Sequence, residues 1–343
     1  MEIITPKEQI RKFFFEKHLD FLTSVPPRRL QEMILSSCVK GNSGKMTDYA
    51  ETGPVRRTTY SHFLSKGKWD DARLEEAQKR ESFQTVTELA QTNRTPVFVC
   101  IDDTVLPKTK PSSKAKRPTQ GVGWHYSHLE GKVIYGHQVH AAMVGTGETS
   151  QCYSLKRCCP ERGTKIDMTL EVIRSLPKEP DAYVLVDNWY TSHAVLDACR
   201  EKGCHLIGAM KTNRILYPEG KRISASDLAS SLDIGCFHPV TVKGRTYIVY
   251  RYEGALNKID HAVVLFSYPA GAFGKKNALR VFLCSDISLS DETILVYYAH
   301  RWSIEVFFRS HKRYMGLNAF MVRAAKAIDR LLLVLALAHF FFS

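Results

Sequence analysis

Two short, unbroken apolar runs, VFVCI at 97–101 and YVLV at 183–186, constrain the fold of this 343-residue chain most. Runs of that length without a polar interruption suit strands covered on both faces. Strand character is also visible in KVIYGHQVHAAMV (132–144), TSQCYSL (149–155) and HLIGAM (205–210). Among them lie two helical patterns, IDMTLEVIRSL (166–176) and SHAVLDACREKG (192–203), the second with Gly203 placed as a C-terminal stop. Strands that alternate with helices predict an α/β fold around a central mixed sheet. From about 215 to 290 the pattern turns β-rich, as in FHPVTVKGRTYIVYRYEG and HAVVLFSY, and reads as an insertion. A helix capped by Ser290 or Asp291 then runs through the 300s. Four parts follow: a helical N-terminal region (1–92), the first part of the core (93–214), the β-rich insertion (215–290) and C-terminal core helices (291–343).

Within the polar N-terminal region, KMTDYAETG and PVRRTTYSHFLSKG predict two short helices around a break at Gly53-Pro54, a candidate helix-turn-helix. The second would open with Arg56, Arg57, Thr58 and Thr59, residue types suited to phosphate and base-edge contacts at a helix N-terminus. A basic loop, KTKPSSKAKRP, carries Lys108, Lys110, Lys114, Lys116 and Arg117. Lys and Arg number 48 against 35 Asp and Glu, a net charge of +13, which favours a polyanionic partner such as nucleic acid. A composition of 44% hydrophobic and 24% charged residues excludes disordered and fibrous classes.

The nine cysteines include no Cys-x-x-Cys pair, and Cys100, Cys199 and Cys284 lie in apolar runs, as reduced core thiols do. Cys199, Cys204 and His205 have the wrong spacing for a zinc ribbon or finger. The opening MEIITPKEQIRKFFFEKH has no apolar core of a secretory leader, and Leu331 to Phe342 is too short to span a bilayer. A cytoplasmic protein without a membrane partner is therefore expected.

Two carboxylate positions follow the buried runs directly: Asp102 or Asp103 after VFVCI, and Asp187 after YVLV. Sites in open α/β sheets gather at such strand ends, and hard oxygen ligands suit Mg²⁺ or Mn²⁺. Successive strand side chains point to opposite faces, so Asp102 and Asp103 do not both face one metal site; strand geometry leaves the choice open. A third piece is YYAHRWSIEVFFRSHK, where Tyr298, Arg301, Glu305 and Lys312 stand at offsets 0, 3, 7 and 14. On one helix they fall at roughly 0°, −60°, −20° and −40°, a single narrow stripe. Bulky Trp302, Ile304, Val306, Phe307 and Phe308 flank it, so a packed helix would bury a polar stripe that needs partners. A metal at Glu305, with phosphates at Tyr298, Arg301 and Lys312, would supply them.

These residues resemble a known family. IDDT (101–104), VDNWYTS (186–192), KTNRILYPEG (211–220) and the Tyr-x2-Arg-x3-Glu-x6-Lys run at 298–312 resemble the DDE transposases of bacterial insertion sequences, over roughly residues 55–340. The resemblance implies an RNase H-like core interrupted by a β-rich insertion. It implies Asp103, Asp187 and Glu305 as catalytic acids holding two Mg²⁺ or Mn²⁺ ions. It also implies double-stranded DNA as substrate, a homodimer on DNA and a nucleoid-associated location, with Tyr298, Arg301 and Lys312 on the DNA. Arg56, Arg57, Lys108 and Lys110, from the basic helix start and loop read above, are expected to join them. Water would cut at the element's ends and the freed 3′-OH would then attack target DNA. Relatives that pass through a hairpin stack an insertion-domain Trp on a flipped base. Here the four Trp, at 69, 124, 189 and 302, lie outside 205–290, which leaves Tyr247, Tyr250, Tyr252 or Phe237 for that role. The sequence stops in FFFS where family members continue, so a truncated copy that binds DNA without cutting it is the second expectation.

Overall fold

A computed structural model describes residues 5–22, 25–39, 43–127, 130–179, 181–275 and 277–343; the first four residues of the segment read above for a leader lie outside them. In chain order the elements are α1 (Pro6–Glu16), α2 (Val25–Ser37), α3 (Met46–Thr52), α4 (Arg57–Lys66), α5 (Asp71–Asn93), β1 (Val97–Pro107), β2 (Gly123–Ser127), β3 (Lys132–Thr146) and β4 (Thr149–Arg157). Then come α6 (Lys165–Ser175), β5 (Ala182–Val186), α7 (His193–Lys202), β6 (His205–Met210), β7 (Ile215–Leu216), β8 (Ile223–Ser224), α8 (Ala225–Ser231), β9 (His238–Val242), β10 (Arg245–Leu256), β11 (Ile259–Pro269) and β12 (Arg280–Cys284). Three helices close the chain: α9 (Asp291–Ala299), α10 (Trp302–Tyr314) and α11 (Ala325–Phe342). The mixed α/β class expected from the sequence is the one observed. Two compact units are present, one of Met1–Thr95, Asp102–Lys165 and Ser303–Ser343, the other of Pro96–Ile101 and Ile166–Trp302.

In the first unit, β2 pairs antiparallel with β3 and β3 with β4, while β3 also neighbours β1. Helices α5 and α11 pack against β4, and α11 also meets α2 and α4. The apolar stretch expected to be a buried helix is one: Leu331, Leu332, Val334, Leu335, Leu337 and Phe340 are buried. Each contributes about 1.5–3 kcal/mol relative to exposure. Among the described residues no helix is long and apolar enough to cross a membrane. The two short N-terminal helices form on either side of Gly53-Pro54 as α3 and α4, with Tyr49 and Tyr60 fully buried between them and α2. Tyr60 donates to Glu32 Oε2 at 3.2 Å, and a Cβ on Gly53 would overlap its hydroxyl.

In the second unit, Val97–Ile101 of β1 pairs parallel with β5 and β5 pairs parallel with β6 across α7. Gly203 ends α7 in the left-handed conformation at φ 80°, as its position predicts. Strand β6 then pairs antiparallel with β12, followed by β11, β10 and β9. The β-rich stretch is thus hydrogen-bonded onto the same sheet through β12.

Two expectations need correction. VFVCI does not end at Ile101: β1 runs on to Pro107, because its later residues lie beside β3, with the Lys108 amide donating to the Tyr135 carbonyl at 2.9 Å. Asp102 and Asp103 therefore lie within a strand, although the parallel pairing with β5 does stop at Ile101↔Val186. Nor does one helix run through the 300s. Ser290 caps α9 as expected, but the amides of His300 and Arg301 bond three residues back, to Tyr297 and Tyr298, instead of four. Such tightened bonds end the α-helical ladder. The polar stripe is divided: Tyr298 on α9, Arg301 in the turn, Glu305 and Lys312 on α10.

Candidate active site

Asp103 and its neighbours belong to the first unit. The Asp103 carboxylate is bound at both oxygens: Lys165 Nζ lies 2.8 Å from Oδ1, and Gln138 Nε2 donates to Oδ2 at 2.6 Å. Asp102 differs, since its Oδ1 accepts the backbone amide of Asp103 at 2.8 Å. The two adjacent acids thus have different environments, as alternation along a strand requires. Behind Asp103 stands His125 of β2; burial pushes its imidazole below the usual range, partly opposed by the Asp103 charge.

Lys312 reaches the same stretch of β1 from α10, donating to Thr104 Oγ1 at 2.6 Å. Burial lowers its pKa, with the Glu130 charge opposing. Glu305 precedes Lys312 by two turns, about 10 Å along the axis and roughly 20° around it, so it occupies the α10 face that Lys312 turns toward β1. It also lies in the first turn of α10, where a carboxylate favours the helix dipole.

Asp187 belongs to the second unit. It follows β5 directly and caps its own turn: Oδ1 accepts the amides of Trp189 at 2.8 Å and Tyr190 at 3.3 Å. The turn is seated on β6 by Thr191, whose hydroxyl lies 2.9 Å from the Asp187 carbonyl and 2.6 Å from that of Ala209. Glycine at 208 permits this, because a Cβ there would overlap Thr191 Oγ1 and crowd Val186. Tyr298 packs on Phe282, with ring centroids 4.8 Å apart, and the Arg301 guanidinium lies 5.9 Å from the Tyr298 ring centroid. Burial pushes the Tyr298 hydroxyl up to about 12; the Arg301 charge opposes this and the Asp187 carboxylate adds to it.

The structure thus sets Lys312 and the Glu305 face of α10 against Thr104, which by alternation shares a strand face with Asp102, while Asp103 of the same unit meets Lys165 and Gln138. The other unit brings Asp187 together with Tyr298 and Arg301. Among the described residues, no three His, Cys, Asp or Glu side chains stand close enough together to hold one metal ion. The donor chemistry nevertheless suits hard cations: all three acids offer oxygen only, and the fold already sets a positive charge, Lys165 Nζ, against Asp103.

The remaining residues expected to meet DNA differ in setting. Arg56 and Arg57 are exposed at the start of α4, where Arg56 occupies the cap position without a side-chain cap. Lys110 is exposed, 5.8 Å from the Trp124 ring centroid. Lys108 folds over Phe320, donates to the carbonyls of Asn318 and Phe320 at 3.2 and 2.7 Å, and is pushed down to about 8 by burial. Of the aromatics proposed for stacking, Tyr252 is buried with its hydroxyl donating to the Ala255 carbonyl at 2.8 Å. Phe237 and Tyr250 belong to one aromatic group with Tyr268 and Phe273. Sequence reasoning missed Lys165, Gln138 and Gly208. Only the last left a local signal, a glycine inside a strand, which marks close backbone approach.

A search among curated proteins gave no match. A family model described as the transposase DDE domain matches residues 93–341, a span that takes in Asp103, Asp187 and Glu305 together with both strands that lead into the aspartates. With its mixed α/β, RNase H-like core, the chain belongs to the DDE transposases.

Proposed function

We propose that this transposase cuts DNA at the ends of its mobile element and joins the freed 3′ ends to target DNA, with Asp103, Asp187 and Glu305 holding two Mg²⁺ or Mn²⁺ ions. The observation that carries this reading is the transposase DDE domain match over residues 93–341, which takes in all three acids. The choice of Asp103 comes from the resemblance, since the β1–β5 register, which ends at Ile101↔Val186, sets Asp102 level with Asp187. Divalent ions at such carboxylates supply the charge stabilisation that in-line displacement at phosphorus requires. The protein's own groups then position the nucleic acid. Lys312, fixed on Thr104, presents a cation at the stretch of β1 that follows the two aspartates. Arg301 and Tyr298 offer a guanidinium and a hydroxyl near Asp187 for phosphate oxygens. Arg56 and Arg57 at α4, with Lys108 and Lys110, extend the contact along double-stranded DNA. The protein works as a homodimer on paired ends, in the cytoplasm at the nucleoid.

The test is cleavage of transposon-end DNA in Mg²⁺ by the wild type and by Asp103→Ala, Asp187→Ala and Glu305→Ala. Each variant is expected to lose cutting and strand transfer while retaining DNA affinity within a few-fold. Near wild-type cutting by any two of them would overturn the assignment. A wild type that binds these ends but never cuts would reduce the protein to a DNA-binding descendant of a transposase.

A further inference from the structure

The hairpin of β2 and β3 has two unlike faces. One carries His125, which senses the Asp103 charge. On the other, Trp124 opposes Tyr135 and Tyr126 opposes Val133 across the strands. Trp124, Tyr126 and Val133 are 60%, 54% and 56% exposed. Trp124 and Tyr135 meet edge-on with ring centroids 5.3 Å apart. Neighbouring exposed aromatic side chains of this kind suit an interaction surface. Its surroundings identify the chemistry: the Lys110 ammonium lies 5.8 Å from the Trp124 ring centroid, and Lys114, Lys116 and Arg117 of the same loop are exposed.

We infer that this face is a stacking platform for unpaired nucleobases, on which Trp124 and Tyr126 hold bases of a single-stranded segment while Lys110 and the loop cations bind its phosphates. Planar π surfaces beside lysines match single-stranded nucleic acid, since duplex DNA keeps its base faces stacked inside. Because the opposite face of the hairpin borders Asp103, the platform would hold strands opened next to the scissile phosphate. The inference rests on the DNA-cutting reading above and adds a second ligand class to it.

Fluorescence anisotropy with the full chain separates the two claims, using a single-stranded oligonucleotide of about 15 nucleotides and a duplex of the same length. The double variant W124A/Y126A is expected to bind the single strand at least about tenfold more weakly, with duplex affinity changed less than about twofold. Trp124→Phe, which keeps a π surface, is expected to retain most of the single-strand affinity. Lys110→Ala is expected to flatten the salt dependence for the single strand. Unchanged single-strand binding by W124A/Y126A, or equal losses for both DNAs, would overturn the platform. So would conversion of a DNA-free dimer to a monomer by W124A, which would give the face to a second copy of the chain. A wild type that binds duplex but no single strand refutes this inference alone; one that binds neither refutes the proposed function as well.

Discussion

Lys108 and Lys312 are held by carbonyl and hydroxyl oxygens inside partly apolar surroundings, and the consequence is sharpest at Lys108. Its ammonium is pushed down to about 8, so it is charged at pH 7 and neutral at pH 9. The unfolded chain holds that proton up to the ordinary lysine range, so between about pH 8 and 10.5 the unfolded state binds more protons and folding stability rises with pH. Lys108→Met is expected to abolish that rise; urea unfolding at pH 7.5 and 9.5 measures it, and an identical rise in the variant would contradict the assignment. If Lys108 also meets a phosphate, the log–log salt slope of wild-type DNA binding should fall by about one between pH 7 and 9, and Lys108→Gln should show no such change.

At the scale of elements, the turn after β5 is a small machine for aiming one carboxylate. Asp187 caps the turn with Oδ1, Thr191 anchors it to the carbonyls of residues 187 and 209, and Gly208 leaves room for the threonine. Gly208→Ala is expected to destabilise the protein by about 1–3 kcal/mol through overpacking and to reduce cleavage by shifting Asp187. Adding Thr191→Ala removes the overlapping hydroxyl. The double variant should therefore be no less stable than Gly208→Ala alone, a coupling visible in a double-mutant cycle by denaturant unfolding. Strictly additive losses would show that the two positions do not share that space.

On the scale of the whole molecule, the first unit is assembled from three separate stretches of chain, and Arg330 ties two of them together. Fully buried in α11, it donates to the carbonyls of Phe63, Leu64, Gly67 and Trp69 and to Asp71 Oδ1 at 2.9 Å, with its guanidinium 4.2 Å from the Trp69 ring centroid. Arg330→Leu would leave these acceptors unpaired and is expected to cost about 3–5 kcal/mol in urea unfolding. Arg330→Lys should rescue little, because an ammonium cannot reach the acceptors a planar fork spans. A loss below about 1 kcal/mol for Arg330→Leu would show that water replaces these bonds.

What the sequence by itself determined was local. Short apolar runs, helical periodicity, the stop at Gly203 and the cap at Ser290 specify elements because each depends on a few neighbouring residues, and those elements are present. The motifs around Asp103, Asp187 and Glu305 were legible for the same reason, being contiguous strings. Tertiary structure decided the rest. Asp103 takes its partners from 35 and 62 residues away, Lys312 meets Thr104 across 208, and Arg330 reaches back more than 250. No window of sequence carries such pairings, since they exist only after the chain has folded back on itself. The break between α9 and α10 and the extension of β1 past its acids belong here too: a helix wheel assumes an unbroken ladder, and a strand's length depends on the neighbour it finds, in this case β3.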